Sequence, residues 1–258
     1  MKTDLPNVAL ATTVDISFVL PAFNEEEHIG ACIESVLREM DASSARCEII
    51  VVNNASTDRT GATASRYPRV RVVDEPRKGL SQARNTGYRH ASGWLIANID
   101  TDCRLPKGWL KRALSSFAVR EDLVALSGPA IYDDLPRLTQ LLIRAWYLVL
   151  RAWLWLQRQW TKKAGMIVGA NTVVRKTALD QIGGYDTSIN FYGEDVDLGR
   201  KLDAIGLVRF DFSFSIFTSG RRFAKEGLLR TAIRYTMNYL RGRLYGKHFT
   251  ESHADIRS

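Results

Sequence analysis

Cysteine is scarce and odd in number: Cys32, Cys47 and Cys103 each fall in a stretch that reads as structured. That excludes a disulfide framework and implies a reducing compartment. Residues 1–15 hold one lysine and no long apolar core, which is not the make-up of a secretory leader. Long apolar runs are lacking too. The best candidate, 138–160, is broken by Arg144 and Arg151, each costing roughly 2.5–3.5 kcal/mol near mid-bilayer, so a spanning helix is disfavoured. Acids are in short supply, 28 against 36 Lys and Arg, and the net charge of +8 points to an anionic partner.

What is present is a chain of 258 residues, 45% hydrophobic and 25% charged, enough for one large domain or a domain with an appendage. From Ile16 the pattern alternates. Residues 16–20 read as a strand stopped by Pro21, 25–40 as a helix, 47–52 as a strand and 57–67 as a short helix. After them come a strand at 70–73, a helix at 80–90 and a strand at 94–99. Such alternation predicts an α/β fold with a doubly wound, mainly parallel sheet flanked by helices.

In such sheets ligands bind beyond the carboxyl ends of the strands. Three ends here are polar and turn-forming: Pro21-Ala22-Phe23-Asn24-Glu25, Asn53-Asn54-Ala55-Ser56-Thr57-Asp58, and Asp100-Thr101-Asp102. Two carboxylates one residue apart can hold Mg²⁺ or Mn²⁺ if phosphate oxygens and water complete the octahedron. The same Asp-Thr-Asp also suits an Asx turn or a helix cap.

These ends, with Lys78-Gly79-Leu80-Ser81-Gln82-Ala83-Arg84-Asn85-Thr86-Gly87, resemble the nucleotide-binding half of inverting family-2 glycosyltransferases of the GT-A fold. The resemblance continues through Gly169-Ala170-Asn171, Ile182-Gly183-Gly184-Tyr185-Asp186 and Gly193-Glu194-Asp195-Val196-Asp197-Leu198, and covers roughly 15–222. It implies a catalytic domain over 1–222, with a nucleotide half at about 15–105, an acceptor half at about 106–222 and an inserted helix at about 136–161. A basic tail, 223–258, follows.

The resemblance also implies roles. Phe23 would stack on the base of a nucleotide-sugar donor, with Pro21 and Glu25 shaping the base and ribose contacts and Asn54 and Asp58 in the second contact loop. As the alternative, Asn24 caps a helix, and Ser56, Asp58 and Arg59 begin one. Lys78 and Arg84 would lie beside the donor, Arg84 fixing the 100–102 loop; a solvated basic face is the other option. Asp100 would meet the ribose or a metal-bound water, and Asp102 would bind Mn²⁺ or Mg²⁺ directly. Asp195, in the Glu194-Asp195 pair, would be the general base, although Glu194, Asp195 and Asp197 also complement a helix N-terminus. Arg221 or Arg222 would neutralise the diphosphate. The Gln-x-x-Arg-Trp signature of the processive synthases is missing, which favours transfer of a single sugar from a UDP-sugar, the commoner donor in the family.

The stretch 138–160 has the most unusual composition. Arg137, Arg144, Arg151 and Arg158 recur every seventh residue, as do Trp146, Trp153 and Trp160, in an otherwise apolar helix. Its readings are a helix lying in a membrane interface, a core helix, or a homodimer contact. Downstream, Leu229, Ile233, Met237, Leu240 and Leu244 have amphipathic spacing, Arg230, Arg234 and Arg241 share another face, and Glu226 is the only acid from Arg221 to Thr250. This favours an anionic membrane surface, a lipid-linked acceptor, and a cytoplasmic enzyme peripheral to the inner face of the cytoplasmic membrane, serving glycan or glycolipid synthesis. A lone His248 near a polar tail is not taken as a ligand. Sugar nucleotidyltransfer is the competing chemistry, but 21–26 lacks the glycines of its phosphate loop. An inactive sugar-nucleotide binder is the other alternative. No nucleic-acid module is present.

Overall fold

The computed structural model describes residues 14–161, 166–189, 193–227 and, between 230 and 238, all but 232 and 235; of 157–161 only the backbone is described. The side chains of Arg158 and Trp160, and the residues Leu229, Leu240, Arg241, Leu244 and His248, therefore lie outside the described part.

Seven strands form the central sheet: β1 (Ile16–Ala22), β2 (Cys47–Asn54), β3 (Val70–Glu75), β4 (Leu95–Ile99), β6 (Leu123–Ser127), β8 (Asn171–Arg175) and β9 (Leu207–Phe210). Their order is β3-β2-β1-β4-β8-β6-β9. All pairings among the first four are parallel, β8 runs antiparallel to both neighbours, and β9 is parallel to β6. The sheet is thus mainly parallel, as its sequence pattern implies. A second, small sheet joins β5 (Cys103–Arg104), β10 (Ile216–Thr218) and β7 (Ala130–Ile131).

Helices cover both faces because the strands alternate their apolar side chains. Phe18, Leu20, Leu95, Ala97 and Ile99 face a core that includes Ile29, Ile33 and Val36 of α1 (Ile29–Asp41) and Trp109, Leu110 and Phe117 of α4 (Trp109–Val119). Val19, Ile50, Val52 and Ile96 face the other way, toward α3 (Leu80–His90), α6 (Lys176–Ile182) and α7 (Glu194–Asp203). The remaining helices are α2 (Thr60–Ala64), α5 (Arg137–Thr161) and α8 (Arg221–Glu226).

Several boundaries differ from the expectation, each for a local reason. Pro21 does not stop β1, which runs on to Ala22. Pairing with β4 ends at Val19, so beyond it β1 has a free edge on that side, where a residue without an N–H is tolerated. The first helix starts at Ile29 because 25–28 form a turn, and α2 is only five residues, Thr60–Ala64. The boundary placed at 222/223 falls inside α8.

Candidate active site

The first two strand ends are laced together. Asn24, with φ of 50°, donates its N–H to Ser56 Oγ at 3.2 Å and accepts from Thr57 N–H at 2.9 Å. Glu26 N–H donates to Asp58 Oδ2 at 3.1 Å, Arg59 N–H to Glu26 Oε2 at 2.9 Å, and Glu25 N–H to Thr60 Oγ1 at 2.8 Å. Asp58 braces this turn, its other oxygen accepting from Thr60 N–H and Oγ1–H. Burial, the largest influence, pushes its carboxyl up, but these hydrogen bonds outweigh it and hold the group below its ordinary value.

Asn54 ends the second of these strands. Its amide nitrogen donates to the carbonyls of Glu75 and Arg77 at 3.0 and 2.7 Å, and its oxygen accepts from Gly79 N–H at 2.8 Å. The buried side chain is committed to shaping the 75–79 loop. That loop carries Lys78, whose Nζ lies 3.8 Å from the centre of the Phe23 ring. The two expected donor contacts therefore meet each other, a cation–π pair at the rim of the strand ends.

The third strand end is held by two arginines. Arg84, on α3 and 2% exposed, donates through Nη2 to Asp100 Oδ1 at 2.9 Å and through Nη1 to Glu194 Oε1. This planar fork joins the Asp100–Asp102 loop to the start of α7, so the two ends of the expected chemistry share one wall. Gly169 makes room for it: a Cβ there would stand 2.6 Å from Arg84 Nη1 and 2.8 Å from Glu194 Oε1. Arg221, the first residue of α8, donates through Nη2 to Asp102 Oδ2 at 3.1 Å and to Glu25 Oε1. Glu25 is buried, and its carboxylate faces Arg221. Arg222 turns aside to Glu226 at 3.2 Å, and Glu226 also holds Arg234 at 2.8 Å, so only Arg221 of the pair reaches the Asp102 carboxylate.

At α7 the two neighbouring acids divide. Glu194 is buried between Arg84 and Gly169, and its second oxygen accepts from Asp195 N–H. Asp195 is half-buried, with Oδ1 accepting from Val196 N–H at 2.8 Å. Burial pushes both carboxyls above their ordinary values; the charge of Asp195 adds to this for Glu194, and Arg84 opposes it for both. Asp195 is thus a carboxylate of raised basicity at a helix N-terminus, the property a general base needs.

Cys32 and Cys103 are buried beneath the 100–102 loop, and burial followed by the nearby Asp102 charge pushes both thiols up, leaving them inert. Thr218 on β10 was not expected from the sequence; its Oγ1 donates to Asp102 Oδ1 at 3.4 Å. Nothing in a three-residue strand far along the chain marked it. The close approach at Gly169 had one signal, the glycine of Gly169-Ala170-Asn171.

For a divalent cation the donor set fits in kind. Asp102 and Asp100 offer hard oxygens, and among the described residues no three His, Cys, Asp or Glu side chains converge to form a self-sufficient cage. Magnesium and manganese commonly use just such partial sites, completed by substrate phosphate.

Comparison with known proteins gives one family model, described as glycosyl transferase family 2, which matches residues 17–183. An uncharacterized glycosyltransferase, EpsJ, of Bacillus subtilis is 40% identical over 91 residues, 34% of this chain and 26% of that protein. Glycosyltransferase AglE of Haloferax volcanii is 31% identical over 40% of this chain and 35% of its own length. The chain thus matches about a quarter to a third of the length of these relatives. Among solved structures, a mannosyltransferase from Pyrobaculum calidifontis in complex with GDP-Man and Mn²⁺ superposes with a TM-score of 0.62 at 22% identity, over 87% of this chain and 67% of that one.

Proposed function

Because this chain belongs to glycosyl transferase family 2, we propose that it moves one sugar from a nucleotide-diphosphate donor to an acceptor hydroxyl with inversion at the anomeric carbon. The observation that carries this is the Arg84 fork, which ties the Asp100–Asp102 loop to the Glu194–Asp195 start of α7. A donor diphosphate at the loop is then within reach of a base on the neighbouring helix. Phe23 flanks the nucleotide base, and Arg221 meets the diphosphate charge. Asp195 takes the proton of the acceptor hydroxyl as that oxygen bonds to the anomeric carbon and the bond to the nucleoside diphosphate breaks; such help contributes typically 10²–10⁴ in rate. Asp102, with Asp100, holds Mn²⁺ or Mg²⁺, which when bound stabilises negative charge on the departing diphosphate. Glu194 and Arg84 position these groups.

The proposed donor is a UDP-sugar, with GDP-sugars as the alternative because the Pyrobaculum neighbour is titled with GDP-Man. The proposed acceptor is lipid-linked, at the inner face of the cytoplasmic membrane, in synthesis of a cell-envelope glycan or glycolipid. Its support is the exposed apolar side of α5 and the scarcity of acids after Arg221.

The experiment is a thermal-shift screen of UDP- and GDP-sugars with and without Mn²⁺, since a bound donor raises the melting temperature by mass action. The Asp102→Ala protein should lose the Mn²⁺-dependent shift. The Asp195→Asn protein should keep it and lose transfer. An unchanged metal-dependent shift in Asp102→Ala would refute the site.

A further inference from the structure

Helix α5 is 25 residues long, about 37 Å at 1.5 Å per residue, yet among the described residues the buried contacts of α5 form only a narrow seam. Tyr147, Leu150 and Leu154 pack against Met166, Val168, Phe210 and Phe212, and Tyr147 Oη accepts from Ala130 N–H at 3.1 Å. The opposite side carries Leu138, Leu141, Leu142, Leu148, Val149 and Leu156, all exposed, with Leu148 at 67% and Val149 at 69%. At 3.6 residues per turn these residues occupy about a third of the circumference, and between Leu138 and Leu156 no polar side chain interrupts them.

The flanks of that arc differ. One carries Arg137, Arg144 and Arg151, all exposed, with Arg151 also over the Phe212 ring at 5.7 Å. The other carries Trp146 and Trp153, which are 41% and 37% exposed. From Leu135 to Leu179 the sequence has no Asp or Glu. No described helix is long and apolar enough to cross a membrane.

We propose that the outer face of α5 is a lipid-contact surface that seats the protein on an anionic bilayer, with the apolar residues among the acyl chains, the arginines on lipid phosphates and the tryptophans at headgroup level. Charge complementarity selects this occupant. A second copy would bring the same apolar side but no acid within α5 for the arginines to meet. The inference deepens the lipid-linked acceptor reading by naming the surface. It depends on that reading only for what lies under the enzyme, because vesicle binding is measured without transfer.

The test uses the full chain and vesicles of phosphatidylcholine with or without phosphatidylglycerol, followed by sedimentation and by quenching of tryptophan fluorescence with brominated acyl chains. Wild type should bind the anionic vesicles, less so as salt rises, with its fluorescence quenched. Leu141→Glu with Leu148→Glu should lower binding more than about tenfold at an unchanged melting temperature, since both side chains are exposed. Arg144→Glu should weaken it about fivefold or more. Asp195→Asn should bind like wild type, so that lost transfer and lost docking are read separately. Three outcomes would overturn the proposal: no binding to anionic vesicles at low salt, binding that the double variant leaves intact, or a solution dimer that the double variant dissociates.

Discussion

The Arg221 guanidinium lies 3.1 Å from the Asp102 carboxylate, so the residue proposed to ligate a cation carries a built-in positive partner. Glu25, buried behind it, faces the same nitrogen, and Ser219 and Gly220 just before it are pinned to Asp134. A divalent ion arriving alone must compete with this pair, whereas one arriving with a diphosphate gives Arg221 a new anion. The expected consequence is a split: Arg221→Gln should tighten Mn²⁺ binding in the absence of donor by about fivefold, the equivalent of about 1 kcal/mol for a part-buried ion pair. It should weaken UDP binding by more than that. Calorimetric titration of each ligand measures both, and a loss of Mn²⁺ affinity in the variant would show that Arg221 does not compete.

Arg84 has the opposite character, a buried charge shared between two acids. Its removal strands Asp100 and Glu194 in a site they cannot easily leave. Arg84→Leu is expected to cost about 3–5 kcal/mol in urea unfolding, the usual range when one member of a buried pair is lost. Arg84→Lys should recover little, because an ammonium cannot span both carboxylates as a planar fork does. Adding Glu194→Leu to Arg84→Leu should return a good part of the loss; strict additivity of the two changes would count against the bridge.

Gly169 tests the same bridge from the other side. A methyl group there would sit 2.6 Å from Arg84 Nη1 and 2.8 Å from Glu194 Oε1, inside contact distance of two charged groups that cannot move apart without exposing bare charge. Gly169→Ala is expected to destabilise by about 1–3 kcal/mol through overpacking, and to weaken donor binding because Asp100 follows Arg84. Thermal unfolding with and without donor separates the two effects.

How much of this could be read from the chain alone depends on whether the information was local. The alternation in Ile16–Ile99 announced the parallel half of the sheet, because β1 and β4 are buried on both sides and the strands are bounded by turn residues. The second half was less legible. Its strands β8 and β9 are five and four residues long, and β8 runs antiparallel between two parallel neighbours, an arrangement no local pattern encodes. For the site, the carboxylates Asp100, Asp102 and Asp195 stood out by type and position, as did Arg84. The division of labour within pairs did not. That Arg221 faces Asp102 while Arg222 faces Glu226, or that Glu194 is buried while Asp195 is half-exposed, depends on which side of a helix each residue takes. Asn54 and Asp58 also brace neighbouring loops, and only coordinates reveal those hydrogen bonds.

Glu75 ends β3 just before the loop that carries Lys78 to Phe23, and it offers a stability test that varies with pH. Its buried carboxylate accepts from Arg77 Nε at 3.0 Å, from Arg77 N–H at 2.9 Å and from Thr86 Oγ1 at 2.6 Å. The Arg77 side-chain bond is the largest influence; burial opposes it, and the net result is a carboxyl held down to about 2 from an ordinary 4.5. A depressed folded value means that the native state binds this proton less tightly than the unfolded chain. The stabilisation is therefore fully present above about pH 4.5 and is lost as pH falls through about 2. Because Arg77 is largely exposed, solvent screening places the gain near the low end for charge-assisted bonds, about 1–2 kcal/mol. Glu75→Gln should accordingly be less stable than wild type by that amount at pH 7 in urea unfolding at low salt. The gap should close between pH 4.5 and 2; a gap that stays constant down to pH 2.5 would mean that the glutamine disturbs packing and not charge.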